Sequence, residues 1–297
     1  MKSKNDGFEN DTWLERRLRL TRSTKPRFNV FAVGALFICA SATASDLHPI
    51  VEVQSGYLFG AASDGKWLKA EESAKAVQAD TTYQIYSLTA KVGEAKGSAP
   101  KSVDEPCPDT MEVTLSQKPE GGVIALAASW NALPRTPRIA DITQQVYADA
   151  VRDFLKTKGI DEPKAKIDNT LRVDLDGDGE DEVLISATNY FSKDGHVPMR
   201  SPAGSYSMVL LRRMVAGKVE TQLVEGEFYP KAYSKAAQDE GRFDAPNAYK
   251  VIATLDLDGD GKMEVVVDSN YYEGAETTIY RCDPNKVEAL LTVSCGA

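Results

Sequence analysis

Asp174-Leu175-Asp176-Gly177-Asp178-Gly179-Glu180-Asp181-Glu182 returns 82 residues later as Asp256-Leu257-Asp258-Gly259-Asp260-Gly261-Lys262-Met263-Glu264. In both stretches carboxylates stand at positions 1, 3, 5 and 9. Short Asp side chains on alternate residues of a tight bend can aim at one point. Gly179 and Gly261, at position 6, let the backbone reverse sharply. The carbonyl of Glu180 or Lys262 can then turn inward, and Glu182 or Glu264 closes the shell. A flexible shell of six to eight oxygens suits calcium, whereas magnesium dehydrates reluctantly and wants stricter geometry. Zinc and iron favour His or Cys, and neither loop has any. The expected cofactor is Ca2+. Its candidate ligands are Asp174, Asp176, Asp178, Glu180 and Glu182, then Asp256, Asp258, Asp260, Lys262 and Glu264, with Glu180 and Lys262 acting through their carbonyls. The alternative is a pair of solvated Asp-Gly turns. It is disfavoured by the six acidic residues among nine positions in the first loop, which repel unless neutralised.

The residues after each loop decide what the loop joins. A helix–loop–helix calcium motif needs an acidic ligand at position 12. Here Ile185 and Val267 occupy it, within Val183-Leu184-Ile185 and Val265-Val266-Val267, which favour strands. Each loop is therefore expected to join two strands, with two more following: 171–174, 182–191, 206–214 and 218–225 in the first copy, and 249–256, 264–272, 276–282 and 287–295 in the second. Thr188-Asn189-Tyr190-Phe191 even answers Ser269-Asn270-Tyr271-Tyr272. Repeats of this kind stack so that neighbours bury each other's faces. A polar insertion, 227–247, separates the copies.

The Asp-x-Asp-x-Asp-Gly-x-x-Glu loops with their flanking strands resemble the FG-GAP and VCBS-type repeats of integrin-like β-propellers and many exported bacterial proteins. The resemblance implies calcium held between two strands of a blade. It covers the two loops and the strands beside them. The chain has two copies, a longer spacing than a usual blade, and no Phe-Gly-Gly-Ala-Pro-like segment before either loop. The expected fold is therefore mostly β (α+β): two blade-like four-stranded antiparallel meanders over 166–297, propeller-like without closure.

Outside the repeats, 45–137 reads as a small antiparallel β domain, with strands over 50–59, 66–69, 82–89, 111–116 and 123–128 punctuated by Gly, Pro and Asp. A short helix is expected within 71–78. Residues 138–165 hold one amphipathic helix and a linker. Asp141 can cap that helix, with Gln144 as capping-box partner. Ile142, Val146, Ala150 and Phe154 form one apolar row, and Tyr147, Val151 and Leu155 a second beside it. Gly159 can end it.

The first 44 residues read as a secretory signal peptide: a basic leader, an uncharged apolar run over 28–40, and Ala42-Thr43-Ala44 at the cleavage positions. Eight of the chain's 35 basic and four of its 44 acidic residues lie there, so the remainder carries 27 and 40, a net charge of -13 against -9 for the whole chain. Such a surface repels nucleic acid and anionic lipid, so neither is an expected partner. A periplasmic or secreted location follows, and with it an oxidising compartment. Cys107, Cys282 and Cys295 remain. Asp283-Pro284-Asn285-Lys286 looks like a turn, which puts Cys282 at one end of a hairpin and Cys295 roughly 26 Å up the returning strand. A disulfide needs Cα atoms within about 7 Å, which disfavours Cys282 with Cys295; Cys107 with Cys295 is the expected pair, and three buried thiols are the alternative.

No catalytic residue can be named. His48 and His196 stand in no triad-like arrangement, and the chain has no nucleophile elbow, phosphate loop or dinucleotide fingerprint. Tyr190, Phe191, Tyr271, Tyr272 and Tyr280 could make an aromatic platform beside the loops, although core packing suits them better. The expectation is a non-enzymatic calcium-stabilised interaction or structural module for a cell-surface, protein or glycan ligand. The competing reading is a secreted hydrolase using carboxylate acid–base chemistry on a polysaccharide-type substrate, which would show two opposed acids in a cleft away from the loops.

Overall fold

The computed structural model describes residues 46–191, 196–232, 234, 237, 239–241 and 245–296; the leader over 1–44 lies outside them. Among the described residues no helix is long and apolar enough to cross a membrane. The chain from Ala44 to Ala297 is one compact unit. Among the described residues it is mostly β, with four antiparallel sheets, none closed into a barrel.

The N-terminal part builds β1 (Leu47–Glu52), β2 (Leu58–Ser63), β3 (Lys66–Lys69), the short α1 (Ala70–Ser73), β4 (Thr81–Tyr86), β5 (Lys91–Gly97), β6 (Lys101–Ser102), β7 (Met111–Glu112) and β8 (Ile124–Leu126). Six of these strands form a sheet in the order β3-β2-β1-β8-β4-β5, and β6 pairs with β7. The stretch 50–59, expected as one strand, is a hairpin. Glu52 accepts hydrogen bonds from the backbone N–H of Gln54 and Ser55, and Gly56 takes φ 86°. A side-chain carboxylate thus closes a turn inside an apolar run whose alternation looks unbroken. Asp64 and Gly65, both at positive φ, make the next tight turn.

β9 (Arg138–Ile139) and α2 (Gln145–Thr157) follow, then β10 (Ile167–Val173), β11 (Glu182–Thr188), β12 (Ser205–Val215) and β13 (Lys218–Tyr229). These strands form a five-stranded sheet, β13-β12-β11-β10-β9. The four strands of the first copy gain a fifth, β9, too short to leave a periodic signal. The second copy is β14 (Ala248–Leu255), β15 (Glu264–Tyr271), β16 (Gly274–Asp283) and β17 (Lys286–Gly296), paired in chain order. Part of the insertion over 227–247 lies outside the described residues, and its first three residues extend β13.

The sheets stack face to face. Val251, Val265, Val267 and Tyr280 of the β14–β17 sheet pack with Leu171, Leu184, Val209 and Leu211 of the five-stranded sheet. Its other face, with Ala253, Leu255, Val266 and Ile279, packs with Ile50, Phe59, Tyr86 and Leu126 of the N-terminal sheet. Burial on both faces explains why β15 opens on three consecutive valines where a half-exposed strand would alternate.

α2 covers the outer face of the five-stranded sheet. Tyr147, Val151 and Leu155 pack on Ile185, Tyr206, Met208 and Leu210. The other predicted row, Ile142, Val146, Ala150 and Phe154, is less buried: Phe154 packs at the edge, Val146 is half exposed and Ile142 precedes the helix. The expected cap is also different. Gln144 is the N-cap, without a side-chain bond, and Asp141 instead accepts from the N–H and hydroxyl of Thr143 in a turn before the helix. The C-terminal end behaves as expected: Gly159 takes φ 81°, its N–H donates to Lys156 O, and that of Ile160 reaches back to Leu155 O.

Cys107 and Cys295 form a disulfide with Cα atoms 5.7 Å apart. Cys282 pairs with Val287 at the opposite end of the β16–β17 hairpin, where Asp283 meets Lys286. Burial pushes its free thiol up to about 12.

Candidate metal centre

Each acidic loop joins the first two strands of its copy, β10 to β11 and β14 to β15. Ile185 and Val267, at position 12, are paired within sheets, opposite Thr170 and Val251. Leucine at position 2 anchors each loop: Leu175 and Leu257 are buried in the core.

The two loops share one hydrogen-bond lattice. In the first, Asp174 Oδ1 accepts from Gly177 N at 2.7 Å and its Oδ2 from Gly179 N at 3.1 Å. Asp176 accepts from Asp178 N at 3.2 Å, Asp178 from Glu180 N at 2.8 Å, and Glu182 from Leu175 N at 2.8 Å. In the second, Asp256 accepts from Gly259 N at 2.7 Å and Gly261 N at 3.1 Å. Asp258 accepts from Asp260 N at 3.2 Å, Asp260 from Lys262 N at 2.8 Å, and Glu264 from Leu257 N at 3.0 Å. The lattice requires left-handed backbone at position 4 as well as 6: Gly177 and Gly259 have φ 82° and 78°. A Cβ on Gly259 would lie 3.2 Å from the Trp130 ring.

Carboxylate oxygens of Asp174, Asp176 and Glu182 lie within 4.8 Å of one another, as do those of Asp256, Asp258 and Asp260. Asp178 falls outside the first group and Glu264 outside the second. Glu180 and Lys262 supply backbone N–H groups to position 5, and the Lys262 ammonium reaches Asp283 at 3.5 Å. Burial, with Asp258 beside it, pushes the Glu264 carboxyl up to about 8. Burial also raises Glu182, Asp256 and Asp258, and the neighbouring acids add to it. Backbone N–H donors pull the other way and do not win. Two all-oxygen clusters, partly buried and crowded with like charge, can hold a hard metal ion.

Arg281, Arg213 and Arg135 attend the loops' cores, and reading the sequence alone does not reveal them. Arg281 on β16 donates to Asp258 Oδ2 at 2.7 Å and lies 3.8 Å from Glu264. Arg213 on β12 holds the corresponding place opposite Glu182; it is buried, its Nη2 donates to Cys282 O, and its Nε and Nη1 have no acceptor among the described residues. The available signal was a charge interrupting a buried strand, in Leu210-Leu211-Arg212-Arg213 and Ile279-Tyr280-Arg281. Arg135 ties the loops together, donating to Asp174 O, to Leu175 O at 3.0 Å and to Gly261 O at 2.8 Å. Met263 N also donates to Leu175 O, and Trp130 Nε1 to Asp256 O, both at 2.8 Å. The segment 130–135 therefore runs beneath both loops.

Tyr190, Phe191, Tyr271, Tyr272 and Tyr280 make no platform beside the loops; the ring in contact with the second loop is Trp130. Tyr190 and Tyr280 are buried, with the Tyr280 hydroxyl donating to Glu225 at 2.6 Å and that of Tyr190 to Asn247 O. Tyr271 and Tyr272 lie at the far end of β15, a strand's length from the loop that starts it, and Phe191 lies beyond the corresponding end of β11. His48 packs its ring on Trp130 at 4.4 Å and contacts Ala127 O, and His196 is exposed. Away from the loops, a cavity of about 490 Å³ has Glu52 and Asp268 in its lining. Both acids are engaged, Glu52 with the Ser55 hydroxyl and Asp268 with Asn270 and Thr277.

No family model, curated protein or solved structure matches the chain.

Proposed function

We propose that this is an exported calcium-binding protein whose two loops stitch adjacent strands into a calcium-stabilised interaction or structural module, with blade-like repeats of the FG-GAP and VCBS kind. One observation carries the reading: the same five-position hydrogen-bond lattice is built twice, 82 residues apart, around converging carboxylates. Asx-type turns alone would hold a loop's shape. They would not call for a buried glutamate beside further acids, an arrangement that a divalent cation relieves. In the first loop Asp174, Asp176 and Glu182 would hold the ion, and in the second Asp256, Asp258 and Asp260. Asp178, Glu264 and the Glu180 and Lys262 carbonyls complete the shells on this reading. The ion's chemistry is charge neutralisation that pins β10 to β11 and β14 to β15.

The test is thermal unfolding with calcium and after its removal. Calcium binds only the folded loops, so at 10–100 times its dissociation constant each site adds about 1.4–2.7 kcal/mol. An unchanged melting temperature would defeat the proposal. The hydrolase reading has one place to stand, the Glu52–Asp268 cavity. It requires polysaccharide hydrolysis that Glu52→Gln or Asp268→Asn abolishes.

A further inference from the structure

The five-stranded sheet carries a row of arginines beside the first loop that take no part in its Asp174–Asp176–Glu182 cluster. Arg138 of β9 pairs opposite Arg172 of β10, Arg172 opposite Val183 of β11, and Val183 opposite Arg212 of β12. Residues paired directly across antiparallel strands share a face, so three guanidinium groups stand in one line. With strands about 4.8 Å apart, the line is roughly 14 Å long. All three arginines line one open groove of about 480 Å³, with Arg213, the acids Glu180 and Asp181, and Met214 and Val219 along it.

Such a row needs a reason in a chain of net charge -9. Like charges directly opposite one another are destabilising. Asp181 answers two of the three: its Oδ2 accepts from Arg138 Nη2 and lies 3.3 Å from Arg172 Nε. Among the described residues no acid pairs with Arg212. Its Nε is buried with no acceptor among the described residues. The rest of its half-buried guanidinium lines the groove, so it is the charge there that the loop does not answer. Met214 and Val219, 51% and 53% exposed, give the groove an apolar shoulder.

We infer that this groove binds an extended acidic oligosaccharide, its carboxylate or sulfate groups lying along the arginine row. Guanidinium forks match planar and tetrahedral oxyanions, often bidentately. A line of three suits charges repeated along a chain better than a single ion. Stiff sugar rings hold such charges at fixed intervals, whereas an acidic peptide would have to order several flexible side chains. The apolar shoulder suits the flat faces of sugar rings. The inference rests on the interaction-module reading for the protein's role, but not on calcium in the loops.

The test is calorimetric titration of the full chain with tetragalacturonate, a heparin-derived tetrasaccharide, cellotetraose, tetraglutamate and sodium sulfate. Each titration is run in calcium and in calcium-stripped buffer, so failure of the loops to bind calcium leaves the outcome readable. At least one acidic tetrasaccharide should bind, more weakly as salt rises, and cellotetraose should not. Arg212→Gln should weaken that binding at least tenfold. Arg138→Gln, on a side chain 70% exposed and so harmless to folding, should do the same with an unchanged circular dichroism spectrum. The inference is overturned if neither acidic tetrasaccharide binds, if both variants bind like the parent, or if tetraglutamate or sulfate binds as tightly.

Discussion

Glu264→Gln isolates the electrostatic strain that a cation is proposed to relieve. Glu264 is 1% exposed, and its carboxyl is raised to about 8 by burial, with Asp258 adding to the effect. A carboxyl raised in the folded state above its ordinary value near 4.5 stabilises the fold at low pH. That stability is lost as pH climbs through about 8. Between about pH 5 and 7.5 this one group should cost the calcium-stripped protein roughly 3 kcal/mol, because each pH step of one removes about 1.4 kcal/mol. Glu182, Asp256 and Asp258 are displaced in the same direction, so the parent's slope is steeper than one group gives. The glutamine keeps an oxygen to accept from Leu257 N and does not titrate. Urea unfolding at about pH 5, 6, 7 and 7.5 in calcium-stripped buffer should show parent stability falling with pH, and a shallower fall in the variant. Saturating calcium should flatten the parent's slope. Equal slopes in parent and variant, or a stripped parent that gains stability across that range, would refute the reasoning.

Three further outcomes follow from the same geometry. Arg135→Ala removes donors to three carbonyls across both loops; it should cost about 2–4 kcal/mol in urea unfolding and lower calcium affinity at both sites. Gly259→Ala forces a side chain into left-handed backbone against Trp130. It should destabilise by about 1–3 kcal/mol and weaken the second site without touching the first, as read by titrating the two sites separately. Cys107→Ser opens a disulfide closing a separation of 188 residues and should cost about 2–5 kcal/mol, while Cys282 in the native parent should stay unreactive to thiol reagents until denaturant is added.

The elements legible in the sequence were those specified locally. The loops declare themselves because Asp at alternate positions and Gly where the backbone turns left-handed must be adjacent in the chain. The strands of the second copy follow from Val265-Val266-Val267 and the Asp283–Lys286 turn, and that turn separated Cys282 from Cys295. Less was legible where a short-range polar contact overrides a pattern. The Glu52 carboxylate folds an apolar run into a hairpin, and Thr143 takes Asp141 from its predicted capping role. What depends on register was hidden altogether. Arg135 lies 39 residues from the Asp174 carbonyl it holds, and Arg138, Arg172 and Arg212 become neighbours only once β9, β10 and β12 share a sheet.

Equilibrium dialysis against buffered calcium, after exhaustive removal of metal, counts the ions held per chain. The account predicts two for the parent, one each for Asp176→Ala and Asp258→Ala, and none when both are changed. A parent that retains no calcium at millimolar concentration, or a double variant that retains as much as the parent, would contradict it.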